Sequence, residues 1–128
     1  MSADPLRALT DRLKTLAHPA RLRILAMLRD EEMCVCQIVA VLGQAASTVS
    51  EHLTELRRAG LLAERKEGRW VYYALSPQKD LEGFTQALWP HLEGSTQSLR
   101  DRKAASKIRA TPLEITCSKA RCQKTTAK

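Results

Sequence analysis

Aromatic side chains are scarce in this 128-residue chain, which holds one Phe, two Trp and two Tyr. Aliphatic residues must therefore fill the core, and the length suits one domain rather than two. Long apolar runs are also missing. None approaches the roughly 20 residues needed to span a bilayer. The first residues, MSADPLRALTDRL, have neither the apolar stretch nor the cleavage site of a signal peptide. A cytoplasmic protein is the expectation. The sequence shows no Gly-rich phosphate loop, no H-E-x-x-H and no Ser/His/Asp grouping. His18, His52 and His91 fall in separate segments, so the chain is not read as an enzyme.

What is present begins with charge. Residues 1–99 carry 12 Lys+Arg and 12 Asp+Glu, a net of zero. Residues 100–128 carry 9 Lys+Arg against 2 acids, so the whole formal charge of +7 sits there. Such a segment either meets a polyanion or is simply well solvated. The four cysteines form two close pairs, Cys34 with Cys36 and Cys117 with Cys122. A reducing cytosol disfavours structural disulfides. Paired thiols there read first as metal or redox chemistry.

Helical periodicity is plain over the first half. Leu6, Leu9, Leu13 and Leu16 make one stripe. Pro19 sits at a favoured first-turn position of a second helix, with Leu22, Leu25 and Ala26 at i, i+3 and i+4. Cys36 to Leu42 is a short apolar helix closed by Gly43. A further helix starts near Ser47, with Val49, Leu53 and Leu56 inward and Gly60 at its end. Two such helices joined by a Gly-containing turn make a helix-turn-helix. Leu61 to Arg65 and Trp70 to Leu75 then flank a turn that holds Gly68, as in a β-hairpin. Leu81, Phe84, Leu88 and Leu92 predict a last helix that Pro90 kinks or ends. Beyond about Leu99 the periodicity fades. The fold class expected is mainly α with a small β-hairpin, a winged helix-turn-helix.

These residues resemble the ArsR/SmtB family of metal-responsive repressors. The likeness is carried by LAHPARLRIL (Leu16–Leu25), MCVCQI (Met33–Ile38) and STVSEHLTELRRAGLLAERKEGRWVYYALSP (Ser47–Pro77). The CVC looks like the arsenic- and cadmium/lead-sensing branches. The resemblance implies a dimeric repressor on double-stranded operator DNA. Residues 1–99 are then the winged-helix DNA-binding and dimerisation domain. Residues 100–128 are a basic, cysteine-containing tail, poorly ordered without a partner. Candidate dimer residues are Leu6, Leu9, Leu13, Phe84, Leu88 and Trp89.

The helix from Ser47 offers Ser47, Thr48, Ser50, Glu51 and Thr54 opposite its apolar face. Short polar side chains of this kind reach base edges when a helix end enters the major groove. Ser47 and Ser50 match base-reading positions of the family. Ala46 stands where many relatives carry Gln, and Glu51 where many carry His, Arg or Lys. At the hairpin, Arg65, Lys66 and Arg69 are placed to touch phosphate or the minor groove. A charged hairpin tip is also what solubility alone would give.

Cys34 and Cys36 are two residues apart, about 200° around an intact helix. One ion reaches both only if the backbone there is extended or frayed, so binding is expected to distort the helix start. A helix N-terminus should also lower the thiol pKa. As(III) and Sb(III) favour three sulfurs in a trigonal pyramid. In arsenic-sensing relatives a third Cys often follows at the position held here by Val39. Cys117 or Cys122 must then complete the site. Both together would give four thiolates, which suits Cd(II), Pb(II) or Zn(II). The function expected is operator release on binding As(III) or Sb(III). The alternatives are a Cd(II)/Pb(II)/Zn(II)-responsive repressor and a thiol redox switch of the same fold. A family metal site in the last helix has only His91 and Glu93 to draw on, at poor spacing.

Overall fold

The computed structural model describes residues 4–120. Its elements run α1 (Pro5–Leu16), α2 (Pro19–Leu28), β1 (Met33–Cys34), α3 (Val35–Leu42), α4 (Ala46–Arg58), β2 (Leu62–Glu67), β3 (Trp70–Leu75), α5 (Lys79–Gln86), α6 (Trp89–Glu93), α7 (Thr96–Arg109) and α8 (Leu113–Ala120). The architecture is a winged helix-turn-helix, mostly helical with one small sheet.

Local chemistry sets most boundaries. Asp4 caps α1 and His18 caps α2, each followed by proline at the start of its helix. Gly43 ends α3 at φ 70°, in the left-handed region that disfavours other residues. Its backbone N–H donates to the Val39 carbonyl at 2.9 Å. This fixes the turn from α3 into α4. The fully buried core joins Ile24, Leu25 and Met27 of α2, Ile38 of α3, Val49, Leu53 and Leu56 of α4, and Leu61 at the hairpin entry. Pro90 does interrupt the last predicted helix, which divides into α5 and α6 around Ala87 and Leu88.

The hairpin is longer than its apolar residues indicate. Glu67 pairs with Trp70, so β2 runs two residues past Arg65 and only Gly68 and Arg69 lie between the strands. A third strand, β1, pairs with β3 on the other side, with Met33 opposite Tyr73 and Cys34 opposite Tyr72. Two residues are too short for any periodicity to show.

Residues beyond Leu99 differ from expectation. The tail expected to be poorly ordered forms α7 and α8 over its described part, and the boundary at residue 99 falls inside α7. Ser95 caps α7, accepting from the Ser98 N–H at 3.1 Å. The buried stripe of α7 is Ser98, Asp101 and Ala105, small and polar residues that give no apolar period. Asp101 accepts from Arg23 Nε at 2.8 Å and Nη2 at 3.1 Å, which ties α7 to α2. Arg109 donates to the carbonyls of Met27 at 2.9 Å and Glu31 at 2.8 Å. It thereby takes up acceptors at the end of α2, where a cation is favoured. Pro112 stands just ahead of α8, and its carbonyl accepts from Ile115 and Thr116. It helps start a helix instead of marking irregular chain.

Candidate effector site and nucleic-acid interface

The strand-to-helix corner at Cys34 removes the difficulty posed by the CVC spacing. Cys34 is extended, at φ −73° and ψ 153°, and precedes α3, whereas Cys36 lies in the first turn of that helix. The backbone N–H of Cys34 donates to Gln37 Oε1 at 2.8 Å, which holds the corner. The helix start therefore needs no distortion for the two sulfurs to converge. Cys117 of α8 joins them, and the three sulfur atoms lie within 4.8 Å of one another, all in buried residues. Among the described residues no other group of three potential ligands forms. Cys122 lies outside the described residues. Val39 is buried on the next turn of α3.

Cys36 and Cys117 are joined as a disulfide, with their Cα atoms 5.0 Å apart. The expectation against disulfides took no account of α8 packing on α3, which brings these two sulfurs within bonding distance. Cys34 remains a buried thiol. Its pKa also departs from expectation. Burial pushes it up, and backbone N–H bonds from Cys36, Val71 and Val35 offset this only in part. The helix N-terminus does not prevail because desolvation of a thiolate costs more than its partial charge returns. Cys34 is therefore held as the protonated thiol at neutral pH.

On α4, Ser47, Thr48 and Glu51 are exposed, whereas Ser50 and Thr54 are half-buried. Ser50 Oγ is enclosed without a hydrogen-bond partner among the described residues. No side chain caps the start of α4. Its first N–H groups are those that a phosphate can take. At the wing, Lys66 and Arg69 are exposed. Arg69 lies 4.6 Å from the Trp70 ring centre. Arg65 is held instead by Glu32, Glu67 and the face of Tyr72. In α6, Glu93 pairs with Arg29 at 3.0 Å, and His91 is exposed.

One pair escaped the sequence reading. His52 of α4 is buried beside the apolar residues, and its Nδ1 accepts from Arg21 Nε at 3.0 Å. The His18 ring stands edge-on to it at 4.5 Å. The LAHPAR and SEHL segments hold all three residues, but only the packing of α2 on α4 brings them together. Burial, then His18 and Arg21, hold the His52 pKa below its ordinary 6.5. The unfolded chain takes up this proton more readily than the fold. The neutral imidazole thus contributes stability in full above about pH 7, and the contribution is lost as pH falls through the lowered folded value. The urea midpoint should drop between about pH 7.5 and 5.5, and drop less in His52→Gln. Asp30, held low by its Arg102 hydrogen bond, titrates below this window. Equal slopes in both proteins would remove His52 as the cause.

Residues 18–64 match the model of the "bacterial regulatory protein, arsR family". The arsenical resistance operon repressor of Escherichia coli is 46% identical over 65 residues, covering 50% of this chain and 56% of that protein. The transcriptional activator HlyU of Vibrio cholerae is 45% identical over 64 residues, covering 50% of this chain and 59% of that protein. The chain thus spans little more than half the length of these curated relatives. A solved structure of HlyU from Vibrio cholerae superimposes with a TM-score of 0.62 at 34% identity, covering 70% of this chain and 96% of that one. A solved "possible transcriptional regulator for arsenical resistance" gives 0.53 at 36% identity, covering 62% and 84%. With a helix-turn-helix, a wing and a match that takes in nearly all of one relative's chain, this protein belongs to the arsR family of bacterial regulatory proteins.

Proposed function

We propose that the chain is a dimeric transcriptional repressor that leaves its operator when As(III) or Sb(III) binds Cys34, Cys36 and Cys117. The observation that carries this reading is the convergence of three buried sulfurs within 4.8 Å. Three thiolates suit a trivalent, three-coordinate ion, whereas Zn(II) and Cd(II) favour four ligands. Two of the sulfurs lie where β1 meets α3, the first helix of the helix-turn-helix, and the third lies on α8. Residues 1–99 serve DNA binding and dimerisation, and the tail completes the sensor. Operator contacts come from Ser47, Thr48, Ser50, Glu51 and Thr54 of α4, and from Lys66 and Arg69 of the wing. The α1 stripe supports dimerisation, because Leu6, Leu9 and Leu13 are 70%, 43% and 53% exposed. Trp89 is buried in its own domain and leaves the set of dimer candidates.

Titrating the complex with its upstream DNA tests the reading. With thiols reduced, As(III) and Sb(III) should release DNA at concentrations at least about tenfold below those of Zn(II). Release by Zn(II) or Cd(II) alone would overturn the choice of effector. The Cys36–Cys117 disulfide favours a second reading, a thiol redox switch. Two thiols and one peroxide would give the disulfide and two waters. Release by peroxide but not by arsenite would select that reading.

A further inference from the structure

Arg65 was expected to face DNA, and its surroundings point to a different task. Its Nε donates to Glu32 Oε1 at 3.2 Å, and Nη2 pairs with the other oxygen of the same carboxylate. Nη1 donates to Glu67. The guanidinium lies over the Tyr72 ring, 4.5 Å from its centre. One cation is thus gripped by two carboxylates and one aromatic face. The charge of this cluster sums to −1, so Arg65 offers a phosphate less than the basic wing of the sequence indicates, while Lys66 and Arg69 remain exposed beside it.

The grip is also connected to the sulfur pocket. Arg65 lies opposite Tyr72 across β2 and β3, and Tyr72 lies opposite Cys34 across β3 and β1. Glu32 stands two residues before Cys34. Cys34 itself takes a hydrogen bond from the backbone of Val71 in β3. One row of the sheet therefore runs from the sulfur pocket to the wing cation.

We infer that Glu32 is a positioning residue that competes with DNA phosphate for Arg65 and so lowers operator affinity. The inference rests on the DNA-binding reading above. While Glu32 holds the guanidinium, Arg65 releases no counterion on binding. Freed from Glu32, it adds one phosphate contact.

The test is fluorescence anisotropy with a duplex from the chain's own upstream region, over a series of salt concentrations. Glu32→Gln should tighten binding about threefold to fivefold at low salt. It should also steepen the slope of log K against log salt by about 0.9 for each protomer of the bound dimer, the value for one added phosphate contact. Glu32→Asp should keep the wild-type slope. In Glu32→Gln combined with Arg65→Gln the gain should vanish. A gain that persists in the double variant would mean simple removal of negative charge and would overturn the inference. An unchanged slope in Glu32→Gln would overturn it as well. Absence of binding by the wild-type chain would instead defeat the DNA-binding reading, and this inference with it.

Discussion

Replacing Cys117 with serine should leave operator affinity within about twofold of wild type and weaken the response to As(III) at least about 100-fold. Cys117 lies on α8, which packs on α3 and supplies none of the proposed DNA contacts. Its loss reduces the ligand set from three sulfurs to the Cys34–Cys36 pair. Soft ions lose most when a thiolate is replaced by a hydroxyl. The same result is expected of Cys34→Ser and Cys36→Ser, which remove the other two sulfurs. All three must be compared under reducing conditions, because Cys117→Ser and Cys36→Ser also abolish the disulfide. Anisotropy of the DNA complex against As(III) reads both affinities. Release by Cys117→Ser at the wild-type midpoint would remove α8 from the site. Cys122→Ser run in parallel reports whether the ion recruits a fourth sulfur.

The second large effect concerns the contact that seats α7 and, through it, α8. Asp101 is 3% exposed and binds Arg23 through two hydrogen bonds, with a third from Gln97 Nε2 at 3.0 Å. Asp101→Ala leaves the Arg23 cation partly buried without its counter-charge. Breaking a buried pair from one side costs about 3–5 kcal/mol, and the partial exposure of Arg23 places this one near the lower figure. Urea unfolding should show the loss. Arg23→Ala combined with Asp101→Ala should recover part of it, because no lone charge then remains. A cost below about 1 kcal/mol would class the pair with surface salt bridges. In reduced Asp101→Ala, Cys117 should also react faster with an alkylating reagent, since α7 and α8 share their packing on α3. Unchanged reactivity would show that α8 docks independently.

Together the two variants separate ligand from support. Cys117→Ser removes a donor atom and spares stability under reducing conditions. Asp101→Ala spares every donor and loosens the helices that present one of them. A sensor whose third sulfur sits on a terminal helix should respond to both, the first through affinity and the second through access.

Much of the fold could be read along the chain, because its signals are local. The α2 to α4 helices repeat their apolar residues at helical spacing, and Gly43 and Gly68 mark turns where positive φ is required. The CVC could be singled out as a thiol pair, and Val39 as the place where a third sulfur was missing. Other features depend on partners distant in sequence. Strand β1 exists only because Met33 and Cys34 pair with Tyr73 and Tyr72. Helix α7 has no apolar stripe because it buries Asp101 against Arg23, 78 residues away. Arg65 looks like a wing cation in a string of letters, yet its charge is taken up by Glu32, 33 residues earlier. Local spacing and turn residues point to a winged helix-turn-helix and to two close pairs of thiols. The meeting of Cys117 with Cys34 and Cys36, across 81 residues from the latter, emerges only in three dimensions, because the docking of α7 and α8 onto α3 is a matter of packing and charge that no local period records.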